Sequence, residues 1–149
     1  MINWLYMGIA LLAGAAMAVQ GTMNAALGKV VGLWQSTLIV HVIGTLTVLG
    51  ILIFSSAGFS GFSKYAQAPW YVYLGGFLNV LIIYAVVRSI PQVGVGNATT
   101  GIVFAQILTA AIIDHLGLFG VKKVAFQYID ILGIVLMAAA ARILLNSTN

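Results

Sequence analysis

Long stretches of this chain carry almost no charge, and that limits its fold more than any other feature. Residues 1–28 contain no Asp, Glu, Lys or Arg, and four further apolar runs follow it. Lys29, a Ser- and Gly-rich link containing Lys64, Arg88-Ser-Ile-Pro91 and Lys122-Lys123 separate them. A hydrocarbon core about 30 Å thick is crossed by roughly 20 apolar residues in a helix. The runs therefore predict five transmembrane helices, over 3–27, 35–54, 70–87, 95–121 and 124–145, in a single all-α membrane domain. Trp4, Trp34 and Trp70, with Tyr71 and Tyr73, fall near the ends of these runs, as interfacial aromatics do. Ala16-Met17-Ala18 resembles a signal-peptide cleavage site, but no basic segment precedes it, so the first run is expected to be a retained span.

Composition agrees. Only 5% of the 149 residues are charged and 62% are hydrophobic, against about 25% charged in a soluble domain. There is too little polar surface for a soluble globule and too much apolar surface for a disordered chain. With no cysteine, disulfides, zinc–thiolate sites and iron–sulfur clusters are excluded. The net charge of +4 comes from six scattered basic residues that form no stripe, so nucleic acid is not an expected partner and membrane lipid is.

Those six residues divide evenly. With five spans, Lys64, Lys122 and Lys123 belong to one face of the membrane and Lys29, Arg88 and Arg142 to the other. Orientation follows the Lys/Arg bias, and a chain without bias is expected to insert both ways. Opposed copies would then pair as an antiparallel homodimer of ten helices, the inverted-repeat plan of many secondary transporters.

Polar residues inside the spans are the candidate functional groups, because they are costly in hydrocarbon and usually face a cavity or the bundle interior. The chain has two acids, Asp114 and Asp130, and both fall in apolar runs. At about 100° per residue, Thr99 and Gln106 point the same way within about 20°, and Asp114 lies about 80° round from Gln106. Asp114 stands eight residues before Lys122, about 12 Å from the expected helix end, and is the candidate proton-coupling group. Asp130, near the start of the fifth span, is read as a structural acid favoured by the helix dipole. Gln20 and Asn24 lie four apart in span one; Thr37, His41 and Thr45 recur every four residues in span two; Asn79 follows Gly75-Gly76 in span three. Gln20, Asn24, His41, Asn79, Thr99 and Gln106 are the candidate solute-binding groups. Amides and a lone imidazole can equally be interhelical glue.

No catalytic constellation is present. His41 and Asp114 lack further metal ligands, Ser55-Ser56 is a linker, and Gly94-Val-Gly96 is not followed by a phosphate-loop Lys. An enzyme is not expected, nor a metal or other cofactor. No basic residue is central, so aromatics and a carboxyl suit a cation or neutral aromatic solute better than an anion. Gly28-x-x-x-Gly32 is a helix-packing motif at a span end.

Val19-Gln20 with Asn24, Gly94 followed by Asn97-Ala98-Thr99-Thr100, then Gln106 and Ile113-Asp114 resemble, in order and spacing, the YdcZ-like family. These are small five-span members of the drug/metabolite transporter superfamily. The resemblance runs over nearly the whole chain and is densest from Gly94 to Asp114. It implies a bacterial inner-membrane protein related to half of a ten-span transporter, acting on a small-molecule solute as a homodimer or with a paired homologue. It names no substrate. Asp130 departs from the family pattern, which has an apolar residue or Gly there, so the resemblance implies no role for it. The expected function is small-solute secondary transport, proton-coupled; the alternative is a non-transporting scaffold or accessory subunit of a larger complex. A transporter needs the polar groups to line one water-accessible space, whereas a scaffold pairs them off between helices.

Overall fold

A computed structural model describes residues 3–56 and 58–146. Its helices α1 (Trp4–Val31), α2 (Leu33–Phe54), α3 (Leu74–Val93), α4 (Val95–Leu116) and α5 (Tyr128–Asn146) supply five spans, α3 being led in by a 3-10 turn over Trp70–Tyr73. The chain divides into two compact units, Met1–Pro91 and Gln92–Asn149.

In the first unit, the Asn3 side chain caps α1 by accepting the Leu5 N–H at 3.1 Å, as a short polar residue at this position does. The helix does not stop at Leu27. It runs through Lys29, whose long stem lets its ammonium reach the interface, and ends at Gly32. There φ is 96° and ψ is 160°, a conformation open essentially to glycine alone. One residue thus separates α1 from α2, and it keeps its backbone bonds: the Gly32 N–H donates to Gly28 at 3.0 Å and its carbonyl accepts from Ser36 at 3.0 Å.

Packing in this unit depends on small residues. Gly21, Asn24 and Ala25 of α1 are buried, with Ser36 and Thr37 of α2 and Ile83, Val87 and Ile90 of α3. Gly21, Asn24, Ala25 and Gly28 recur at the spacing of one helix face. A Cβ on Gly28 would stand 2.5 Å from Val87 Cγ1, and one on Gly21 would stand 3.0 Å from Val86 Cγ1. The close approach therefore uses Gly21 and Gly28, whereas Gly32, the second glycine of the sequence motif, serves as the helix break.

The third span also continues past its expected end. Arg88 can extend to the interface, and Pro91, in the last turn, forfeits only the bond to the Val87 carbonyl. The helix closes at Val93. The link between α2 and α3 is itself structured, with a 3-10 helix over Ser60–Gln67.

In the second unit, Gly94 (φ 83°, ψ 160°) precedes α4, which packs against α5. The fourth helix ends at Leu116, five residues before its expected limit. Gly117 adopts the left-handed conformation and donates to the Ile113 carbonyl, a common helix stop. Phe119 and Gly120 also have positive φ, so the apolar run Leu118–Val121 cannot continue the helix. The fifth helix correspondingly starts at Tyr128 rather than at residue 124.

Gly28→Ala should destabilise the first unit by about 1–3 kcal/mol, the range for overpacking a tight site, and Val87→Ala should recover part of that loss. Reversible unfolding in mixed detergent micelles measures both; equal stability of Gly28→Ala and the parent would show that the helices do not meet there.

Candidate functional site

The first unit contains a cavity of about 560 Å³, within the range of small-molecule sites. Gln20 of α1 contributes one polar wall, and Asn79 with Ile83 of α3 another. His41 and Thr45 line it from α2 among Val40, Gly44, Val48, Leu49 and Leu52. Phe59 and Phe62, from the α2–α3 link, complete it. No Lys, Arg, Asp or Glu is among these residues. The polar groups are an imidazole, two amides and a hydroxyl in walls that are otherwise apolar.

His41 is held on both sides. Its Nδ1 lies 2.7 Å from the Thr37 carbonyl oxygen, one turn back on the same helix. Its Nε2 lies 3.1 Å from Asn79 Nδ2, across to α3. A carbonyl only accepts, so Nδ1 must carry the proton and donate it. In the neutral ring Nε2 is then an acceptor, and Asn79 must present its NH2 group to it. For the neutral ring, the hydrogen-bond pattern thereby sets both the tautomer and the orientation of the amide. Two turns nearer the start of α2, Trp34 lies against Tyr84 of α3, ring centroids 4.7 Å apart. The two helices are thus joined at two levels. A hydrogen bond between membrane helices contributes only about 0.6 kcal/mol on average, so the His41–Asn79 bond is weak as glue.

The link carries more than its Ser- and Gly-rich composition shows. Phe59, Phe62 and Tyr65 are three apart, and side chains three apart align on a 3-10 helix. The Phe59 and Phe62 rings stack at 6.1 Å. Tyr65 packs on Tyr73 at 4.4 Å, and the Tyr73 hydroxyl donates to the Tyr65 carbonyl. A second cavity of about 380 Å³, lined by Leu52, Gly58, Gly61, Phe62 and Tyr65, shares Leu52 and Phe62 with the first. The spacing of these aromatics was the available sequence signal, and composition masked it.

Of the residues singled out in the sequence, Gln20, His41 and Asn79 come together at the cavity. Asn24, one turn beyond Gln20, is buried with Gly21 and Ala25. Thr99 and Gln106 lie on α4 in the second unit, the first half-buried and the second exposed.

Both acids sit at helix ends. Because α4 stops at Leu116, Asp114 is exposed in its last turn and not eight residues deep. Its backbone carbonyl accepts the Val124 N–H at 2.9 Å, and Nδ1 of His115 accepts the Phe126 N–H at 3.2 Å, tying the following segment back to the helix end. Asp130 is the third residue of α5, and its Oδ2 accepts the Gln127 N–H at 2.7 Å. That is the carboxylate half of a capping box, in agreement with a structural acid. Asp130→Ala should cost about 1 kcal/mol, as loss of a cap does, and should speed hydrogen exchange at the Gln127 amide; protection equal to the parent's would remove the cap assignment.

Comparison with known proteins adds the family. The model described as "Putative inner membrane exporter, YdcZ" matches residues 5–143. No curated protein and no solved structure matches the chain. The match spans nearly all of the sequence, and the chain belongs to the YdcZ family of inner-membrane, multi-pass transporters.

Proposed function

We propose that this chain exports a small solute, that the cavity walled by Gln20, His41 and Asn79 is the solute site, and that two copies work as an antiparallel dimer. The cavity carries the reading. A volume of about 560 Å³ accepts a metabolite-sized molecule, and its uncharged polar groups can orient one by hydrogen bonds. The family description supports transport over the scaffold and over an enzyme. Phe59 and Phe62 offer ring faces to an aromatic or cationic body.

The even division of Lys and Arg supports insertion in both orientations. A second observation supports pairing. Gln20, Asn79 and Gln106 are exposed in the single chain, and polar groups at membrane depth require water or another protein surface. An opposed copy supplies that cover. Thr99 and Gln106 are further candidate solute contacts in the second unit. The coupling role of Asp114 was premised on a deep position, and its place in the last turn of α4 gives that role less support.

Gln20→Ala and Asn79→Leu should each weaken solute binding about tenfold, the equivalent of one hydrogen bond. Thr47→Ala, whose hydroxyl bonds Ile43 on its own helix, should not. Binding measured in proteoliposomes across a panel of cationic, neutral and anionic aromatics checks this; parental binding in both Gln20→Ala and Asn79→Leu would place the solute elsewhere. For topology, the chain lacks cysteine, so single cysteines at Ser60 and Gln92, toward opposite ends of α3, are clean probes. Each should be labelled in part from outside intact cells, and labelling at one position alone would exclude dual insertion.

A further inference from the structure

We propose that His41 and Asn79 form a proton-operated polarity switch. A proton from water adds to the Nε2 lone pair of His41, which in the neutral ring accepts the Asn79 NH2 group, and the Asn79 amide gives up that bond and turns over in response. The cavity then offers solutes an acceptor when His41 is neutral and a donor when it is charged. This inference rests on the cavity being the solute site.

The argument is one of donors and acceptors. In the neutral state one N–H of Asn79 is committed to Nε2, which turns Oδ1 to the other side as the acceptor available to a solute. A charged imidazole donates from both nitrogens. Nδ1 keeps the Thr37 carbonyl, and Nε2 now needs an acceptor where an NH2 group stood. A half-turn of the amide supplies Oδ1 at the same place, so neither state loses a bond. The solute side then faces NH2 and a positive ring. Proton and N–H-bearing solute therefore exclude one another, as exchange of the two requires.

Among the described residues, His41 is the one titratable side chain lining this cavity. From α1 it is faced by Gln20, from α3 by Asn79 and Ile83, from the link by Phe59 and Phe62, and on its own helix by Thr45, none of which carries charge. Tyr65 lines only the neighbouring cavity, and Lys64 lies beside it on the link. The solute class that follows is a planar aromatic bearing an N–H donor, either a cation or a neutral amide.

Two measurements decide the matter. The first needs no solute: ¹⁵N NMR of the His- and Asn-labelled full chain in lipid nanodiscs, titrated across about pH 5 to 8, where histidine ordinarily changes charge. His115 is an internal reference, because its Nδ1 accepts the Phe126 N–H and so its neutral ring has the opposite tautomer. The expected result is Nδ1–H for neutral His41, Nε2–H for neutral His115, and an Asn79 amide signal that moves in the same step as His41. Neutral His41 in the Nε2–H form, a ring that takes up no proton over that range, or an unresponsive Asn79 overturns the switch.

The second is binding of 2-naphthamidine, 2-naphthamide and 2-naphthoate, matched in shape, at about pH 6 and pH 8. Exclusion by the proton makes the amidine bind at least about fivefold tighter at the higher pH, the amide change in the same direction but less, and the carboxylate change in the opposite direction. His41→Gln places an amide oxygen near Nε2 that cannot take up a proton, and should abolish the pH dependence whatever the affinity. Asn79→Leu should abolish it for the neutral amide, which senses only the rotor. Parental pH dependence in His41→Gln overturns the switch and leaves the cavity reading intact. Absence of binding of all three to the parent counts against the cavity, and the NMR result still decides the switch.

Discussion

A backbone N–H or C=O left open in hydrocarbon has no water to turn to. That constraint explains both the length of the helices and the nature of their interruptions. No stretch of coil separates α1 from α2; one glycine does, in a conformation closed to other residues, and it still bonds to Gly28 and Ser36. Gly94 repeats nearly the same angles before α4. Where the chain does leave the helix, after Leu116, side chain and backbone of that helix end take up the groups that follow: Asp114 receives Val124 and His115 receives Phe126. Glycines in this chain thus act less as flexible points than as sites where direction changes without exposing a backbone group.

The same constraint governs the side chains. Most hydroxyls satisfy themselves on their own helix: Thr22 on Ala18, Ser36 and Thr37 on Leu33, Thr47 on Ile43, Thr100 on Gly96. Such groups are neutralised locally and cannot contribute much to a site. His41 behaves differently. One nitrogen satisfies the helix, and the other reaches across to α3 at the edge of a cavity.

The number and order of the spans were legible because runs of about 20 uncharged residues leave few alternatives. Their ends were less so, since charge marks an interface only for short side chains. Lys29 and Arg88 lie inside helices because their stems reach several ångströms, and the true stops are set by backbone angles at Gly32, Gly94 and Gly117, which composition does not reveal. Polarity singles out Gln20, His41 and Asn79, because an amide or imidazole in a span needs a reason, and the fold brings these three to one cavity. The aromatic wall from Phe59 and Phe62 was hidden in a segment that reads as linker. Asp114 shows what a boundary decides: with α4 ending at Leu116 and not at residue 121, its carboxyl belongs to the last turn of the helix. Asp130 was read by a local rule, an acid near a helix start, and local rules survive boundary errors of a few residues.

An uncharged site and an evenly charged exterior suit one another. An ionised residue at the middle of a span raises the insertion free energy by about 2.5–3.5 kcal/mol, and an even division of Lys and Arg between the two faces offers no loop bias to offset it. The histidine at the cavity can make both of its hydrogen bonds as a neutral ring, and a neutral ring adds no such barrier. In the switch proposed above, Thr37 and Asn79 would accept the two N–H groups of the charged ring. The proposed coupling through an imidazole and an amide would let a short chain carry a titratable site without a permanent charge, as the proposed insertion in both orientations would demand.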